Sequence, residues 1–126
     1  MAAVLRYLDF DYSEDSDGNG AWDAMASVPA AQWGALLAEA AQLLAWAHRE
    51  FGDQRGALED GADWDCALQA VAEMVTPQTL HFDPDTGTLQ AHAPAEAGGT
   101  LRHTLSLSLS SSPAFSAALR EQFGLD

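Results

Sequence analysis

The stretch 63-DWDCALQAVAEMV-75 decides what kind of fold this chain builds. Spaced as a helix, it would gather Trp64, Leu68, Val71 and Val75 on one side. Spaced as a strand, it places Trp64, Cys66, Leu68, Ala70, Ala72 and Met74 on one face, opposite Asp63, Asp65, Gln69 and Glu73. Ala, Leu and Glu favour helix, but alternation separates apolar from polar residues more cleanly. The strand reading is adopted, and it makes the chain a mixed α and β protein.

Working outward, 101-LRHTLSLSLS-110 alternates without interruption. Leu101, Leu105, Leu107 and Leu109 share one face, while Arg102, Thr104, Ser106 and Ser108 share the other. This is a strand with one buried side and one side open to solvent or a polar partner. Ahead of it, 82-FDPDTGTL-89 carries the turn chemistry of a tight hairpin between 80–82 and 89–91. HAPAEAGG, 92–99, reads as a loop, and 52–62 as a polar, glycine-rich connection.

Towards the N-terminus, 4-VLRYLDFDY-12 and 21-AWDAMASV-28 alternate at period two. They predict two strands joined by the acidic loop SEDSDGNG. A helix follows over 29–51, opened by Pro29 and stopped at Gly52, with Trp33, Leu36, Leu37, Ala40, Leu43, Leu44, Ala47 and Phe51 as its apolar stripe. Ser112-Pro113 starts a second, shorter helix that ends at Gly124. The order β-β-α-β-β-β-β-α predicts an α+β fold. An antiparallel sheet of five or six strands carries one long and one short C-terminal helix on one face.

A chain of 126 residues with 48% apolar content and four Trp is expected to form a single packed domain, 1–126. Nineteen Asp and Glu oppose five Arg, with no Lys, for a formal charge of −14. That charge repels phosphate backbones and anionic bilayers, so neither a nucleic-acid nor a membrane partner is expected. The start of the chain lacks a basic segment followed by a long apolar run, and the single Cys66 excludes an internal disulfide. Both features fit a cytoplasmic protein. Abundant Ala, Gly, Asp and Arg without Lys fits a GC-rich bacterial genome.

The motif nearest to a known site is 15-DSDGNGAWD-23. Asp15, Asp17, Asn19 and Asp23 occupy four ligand positions of a calcium loop, with Gly20 at its turn position and Ala21 offering a carbonyl. The closing bidentate Glu is replaced by Ala26, and the flanks read as strands. A weak calcium or other divalent-metal site stands here beside the alternative of an acidic hairpin tip. His81 and Asp83 share a strand face, but no metal-ligand spacing links the four His. Cys66 would need His103 or His81 as a base, and its acidic neighbours disfavour the thiolate. No nucleophile elbow, P-loop or dinucleotide motif is present. Trp46 falls off the main helical stripe, where exposure would make it an interaction anchor.

The tracts RYLDFDYSED, WDAMASV, DWDCALQ and TLSLSLSSSPAFSAALREQFGL together resemble small acidic bacterial proteins described as uncharacterised. That resemblance implies no activity. The expectation for function is a cytosolic domain that binds itself or another protein, a basic one being the concrete case. A metal-binding domain using the 15–23 loop is the alternative, and a small enzyme with a pocket on the open sheet face is a third reading.

Overall fold

The computed structural model describes residues 3–92 and 99–125. Its elements are β1 (Phe10–Glu14), β2 (Gly20–Pro29), α1 (Ala30–Phe51), β3 (Trp64–Val75), β4 (Thr79–Asp83), β5 (Thr88–His92), β6 (Thr100–Ser111) and α2 (Pro113–Phe123). Two single 3-10 turns, Gly52–Gln54 and Leu58–Asp60, join α1 to β3. The fold is α+β. Four strands pair in the order β1-β2-β6-β3, and β4 and β5 form a separate two-stranded ribbon. The residues 93–98 of the expected 92–99 loop lie outside the described residues.

β6 is the centre of the sheet although it comes last among the strands. It pairs antiparallel with β2 from Gly20↔Ser111 to Pro29↔Arg102, and with β3 from Trp64↔Ser111 to Val75↔Thr100. Directly opposed residues share a face, so one side of the sheet collects Trp22, Ala24, Ala26 and Val28 with Leu105, Leu107 and Leu109. All seven are buried. Both helices pack on that side, and Trp46 of α1 meets Phe115 and Phe123 of α2 at ring-centroid distances of 5.6 and 5.5 Å. Trp46 is therefore core, because α2 supplies a second apolar surface beside the stripe that packs on the sheet. Aromatic side chains of this size each withdraw a large apolar area from water, and that withdrawal drives folding.

The core carries a small polar network. Trp22 Nε1 donates to Ser111 Oγ at 3.1 Å and to Ser116 Oγ at 3.2 Å, and the two hydroxyls lie 2.7 Å apart. Gly20 sits beside it because a side chain would not fit. A Cβ there would stand 2.5 Å from Tyr12 and 2.7 Å from Ser111 Oγ. The start of α2 is fixed by Ser112, whose Oγ accepts the Phe115 N–H and donates to Asp63 at 2.7 Å. Gly124 ends the helix in the left-handed conformation, as expected.

One expected strand differs. Residues 4–12 alternate, yet β1 begins only at Phe10. The N–H groups of Arg6, Tyr7 and Leu8 are taken by the carboxylate of Glu39, with Tyr7 at 2.9 Å and Leu8 at 2.8 Å. A buried side chain in the middle of α1 replaces the ladder that a strand would need.

Candidate functional site

The loop 15–19 is organised by Asp15. Its carboxylate oxygen accepts the N–H groups of Asp17 and Asn19, both at 2.9 Å, while its backbone closes the turn with Asn19 and Gly18. Gly18 has φ +83, a left-handed value that glycine adopts freely. Asp23 stands away from this tip, on β2 opposite Asp11. Its carboxylate accepts a 2.6 Å hydrogen bond from Ser108. Asp9, Asp11 and Asp23 line a shallow depression on the helix-free side of the sheet with Ser106 and Ser108. Among the described residues no three His, Cys, Asp or Glu side chains stand close enough together to hold a metal ion.

Cys66 is half-buried at the start of β3. Burial pushes its thiol above the ordinary range; nearby Arg55 pulls it down and Asp65 pushes it up. Asp65 itself is held below the usual carboxylate range by the Arg55 guanidinium at 3.0 Å and by the Cys66 N–H. His103 is aligned with Ala72, six rungs from Cys66, or roughly 20 Å along the strands. Its ring stacks on Trp33 at 4.7 Å instead. The structure does not bring these two side chains together.

The feature that stands out is β3 itself. Only its first residue, Trp64, is buried, and every position from Ala67 to Val75 is exposed although the strand is fully paired with β6. On the helix side Leu68 is 54% and Met74 66% exposed, and on the other side Val71 and Val75 are open as well. The β4–β5 ribbon continues the pattern, because Leu80, Phe82 and Leu89 fall on one face of it by register and all are exposed. Isolated two-stranded ribbons are marginal in water, and a long apolar edge is normally covered.

Helix α1 explains why the helix side of β3 stays bare. Its Trp33 rests on His103 of β6 and its His48 on Trp64, so α1 lies over β2 and β6 and reaches β3 at its first residue. It carries the stripe Trp33, Leu37, Leu44, His48 along its β3 side. Leu37 is exposed along that stripe. On the opposite flank Glu39 holds residues 6–8, and Leu8 enters the core with Leu5 and Tyr7 packed against it. One edge of the layer is thereby dressed by the chain itself. Along the other, residues 54–56 meet β3 at Trp64 and Asp65, and from Ala67 onward its side chains are exposed.

The two sheet edges differ in chemistry as well. β1 has five residues and carries Asp11 and Glu14, with Asp9 adjoining. β3 has twelve residues and only Asp65 and Glu73; Asp65 is bound by Arg55, and Glu73 is aligned with Arg102. Alternation predicts the strand but not its bareness, since one face of β3 carries Leu68, Met74 and Ala as a core face would, and the other sets Val71 and Val75 among polar residues. An apolar residue on each face, such as Leu68 and Val71, is the signal that the sequence offers.

Comparison of the chain with protein-family models, curated proteins and solved structures gives no match. Among the described residues no helix is long and apolar enough to cross a membrane.

Proposed function

We propose that this chain is an acidic protein-interaction domain acting in the cytosol, with β3 and the β4–β5 ribbon as its binding surface. The observation that carries this reading is the exposure of Leu68, Met74, Leu80 and Phe82 on a twelve-residue strand and the ribbon beyond it. Surfaces of this kind serve strand addition, in which backbone groups along the edge provide affinity and side-chain contacts provide selectivity. The acidic remainder keeps the domain dispersed while the charge-poor edge is left for a partner.

Site-specific photocrosslinking in the native cell tests it. A photoreactive residue at Val71 or Leu80 is expected to give discrete protein adducts, and one at Gln32 on the exposed side of α1 is not. Equal, diffuse labelling at all three positions would sink the proposal. The adduct mass, read against 13.4 kDa for the chain, reports what the partner is.

A further inference from the structure

Resting on that reading, we infer that the partner at the β3 edge is a second copy of this chain. The two β3 strands pair antiparallel across a two-fold axis and join two four-stranded layers into one of eight. Charge supports a copy over a basic partner. The carboxylates cluster at the other edge and on the loops, as with Asp9, Asp11, Glu14, Asp15 and Asp17, and a cationic protein would gain most there. Between Cys66 and Phe82 the only carboxylate is Glu73, aligned with Arg102. Two bodies of formal charge −14 meet at least cost where each presents so little charge.

Area supports the same occupant. The exposed large apolar side chains of β3, the ribbon and Leu101 present roughly 250–500 Å² per protomer, taking the ~60–120 Å² per fully open side chain that ~1.5–3 kcal/mol implies at ~25 cal/mol per Å². Two copies together bring roughly 500–1,000 Å² of it to one contact, the small end of specific interfaces, to which the paired backbone edges add. An antiparallel two-fold contact is closed, so it consumes both free β3 edges and leaves the short acidic β1 strands as the outer edges of the eight-stranded layer. It also sets Leu68 and Met74 of each copy beside the apolar edge of the other, narrowing the gap between the two α1 helices.

Sedimentation equilibrium on the full chain, from micromolar to sub-millimolar protein and from low to high salt, tests this. A monomer–dimer equilibrium that tightens with salt is expected, because salt screens like charges; a complex with a basic partner would weaken. Leu68→Lys and Val71→Lys replace exposed residues on the two faces, and each is expected to weaken the dimer by roughly tenfold or more. Amide exchange in wild-type β3 should slow as protein concentration rises, a readout that needs no variant. A chain that stays monomeric throughout, forms open polymers, or dimerises without slowing β3 exchange would overturn the second copy. If the in-cell adducts at Val71 then show a mass other than twice the chain's, the protein-binding reading survives and only the identity of the partner falls.

Discussion

Glu39 Oε2 accepts the backbone N–H of Leu8 at 2.8 Å, joining the middle of α1 to a segment 31 residues earlier. The same carboxylate takes the N–H groups of Arg6 and Tyr7, and Glu39 is itself only 9% exposed. Three consecutive donors converge on one buried anion, and charge-assisted bonds of this kind are stronger than neutral ones.

Glu39→Ala should therefore destabilise the fold by about 3 kcal/mol, since three N–H groups lose their acceptor in a partly buried setting. Glu39→Gln keeps one acceptor oxygen and should cost less. Urea unfolding ranks the variants, and accelerated exchange confined at first to residues 6–8 locates the effect. A surface-like change under about 0.5 kcal/mol would contradict the anchoring role.

Trp46→Ala removes a side chain wedged against Phe51, Phe115 and Phe123. The expected loss is about 3–5 kcal/mol, with α2 loosening before the sheet. Thermal melts followed by near-ultraviolet dichroism would register both.

Gly20→Ala sets a methyl against Tyr12 and Ser111 Oγ and should cost about 1–3 kcal/mol through overpacking. Because Ser111 and Ser116 both accept from Trp22 Nε1, the variant should also shift the indole N–H resonance of Trp22. An unchanged resonance would mean the network relaxes elsewhere.

The tip of the first hairpin separates two roles by mutation. Without calcium, Asp15→Ala loses the acceptor for two N–H groups and should cost about 1 kcal/mol. The Asp17 carboxylate has no such duty in the turn, so Asp17→Ala should stay within about 0.5 kcal/mol. A calcium titration of the amide resonances of residues 14–23 then tests the ion reading directly. Saturable shifts lost in both variants would support it, whereas small linear drifts would leave Asp15 as a turn residue.

Cys66 gives the chain an alkaline dependence. Burial raises the thiol, so the fold favours its neutral form. That contribution is complete below the ordinary thiol range and is lost as pH rises through the raised value. Cys66→Ala should flatten the alkaline limb of a stability–pH curve, and alkylation of the wild-type thiol at neutral pH should be slower than that of a free thiol. The lowered Asp65 acts in the opposite direction, stabilising above the ordinary carboxylate range and fading as pH falls, but solvent screens its exposed pair with Arg55.

What the sequence determined by itself was every feature that depends on near neighbours along the chain. Alternation at Leu105, Leu107 and Leu109 defined β6, three-and-four spacing defined α1, and Ser112-Pro113 and Gly124 bounded α2. Even the ambiguous 63–75 was resolved by which spacing sorted its residues better, and it is β3. Tertiary structure decided what lies over what. Residues 4–8 alternate like a strand, but the donors of Arg6, Tyr7 and Leu8 go to Glu39, a partner remote in sequence. Trp46 looked unmatched until α2 lay beside it. β3 has the pattern of a strand with one buried face, yet α1 crosses β2 and β6 and leaves that face uncovered. Periodicity tells which side chains share a face; only packing tells whether that face meets protein or water.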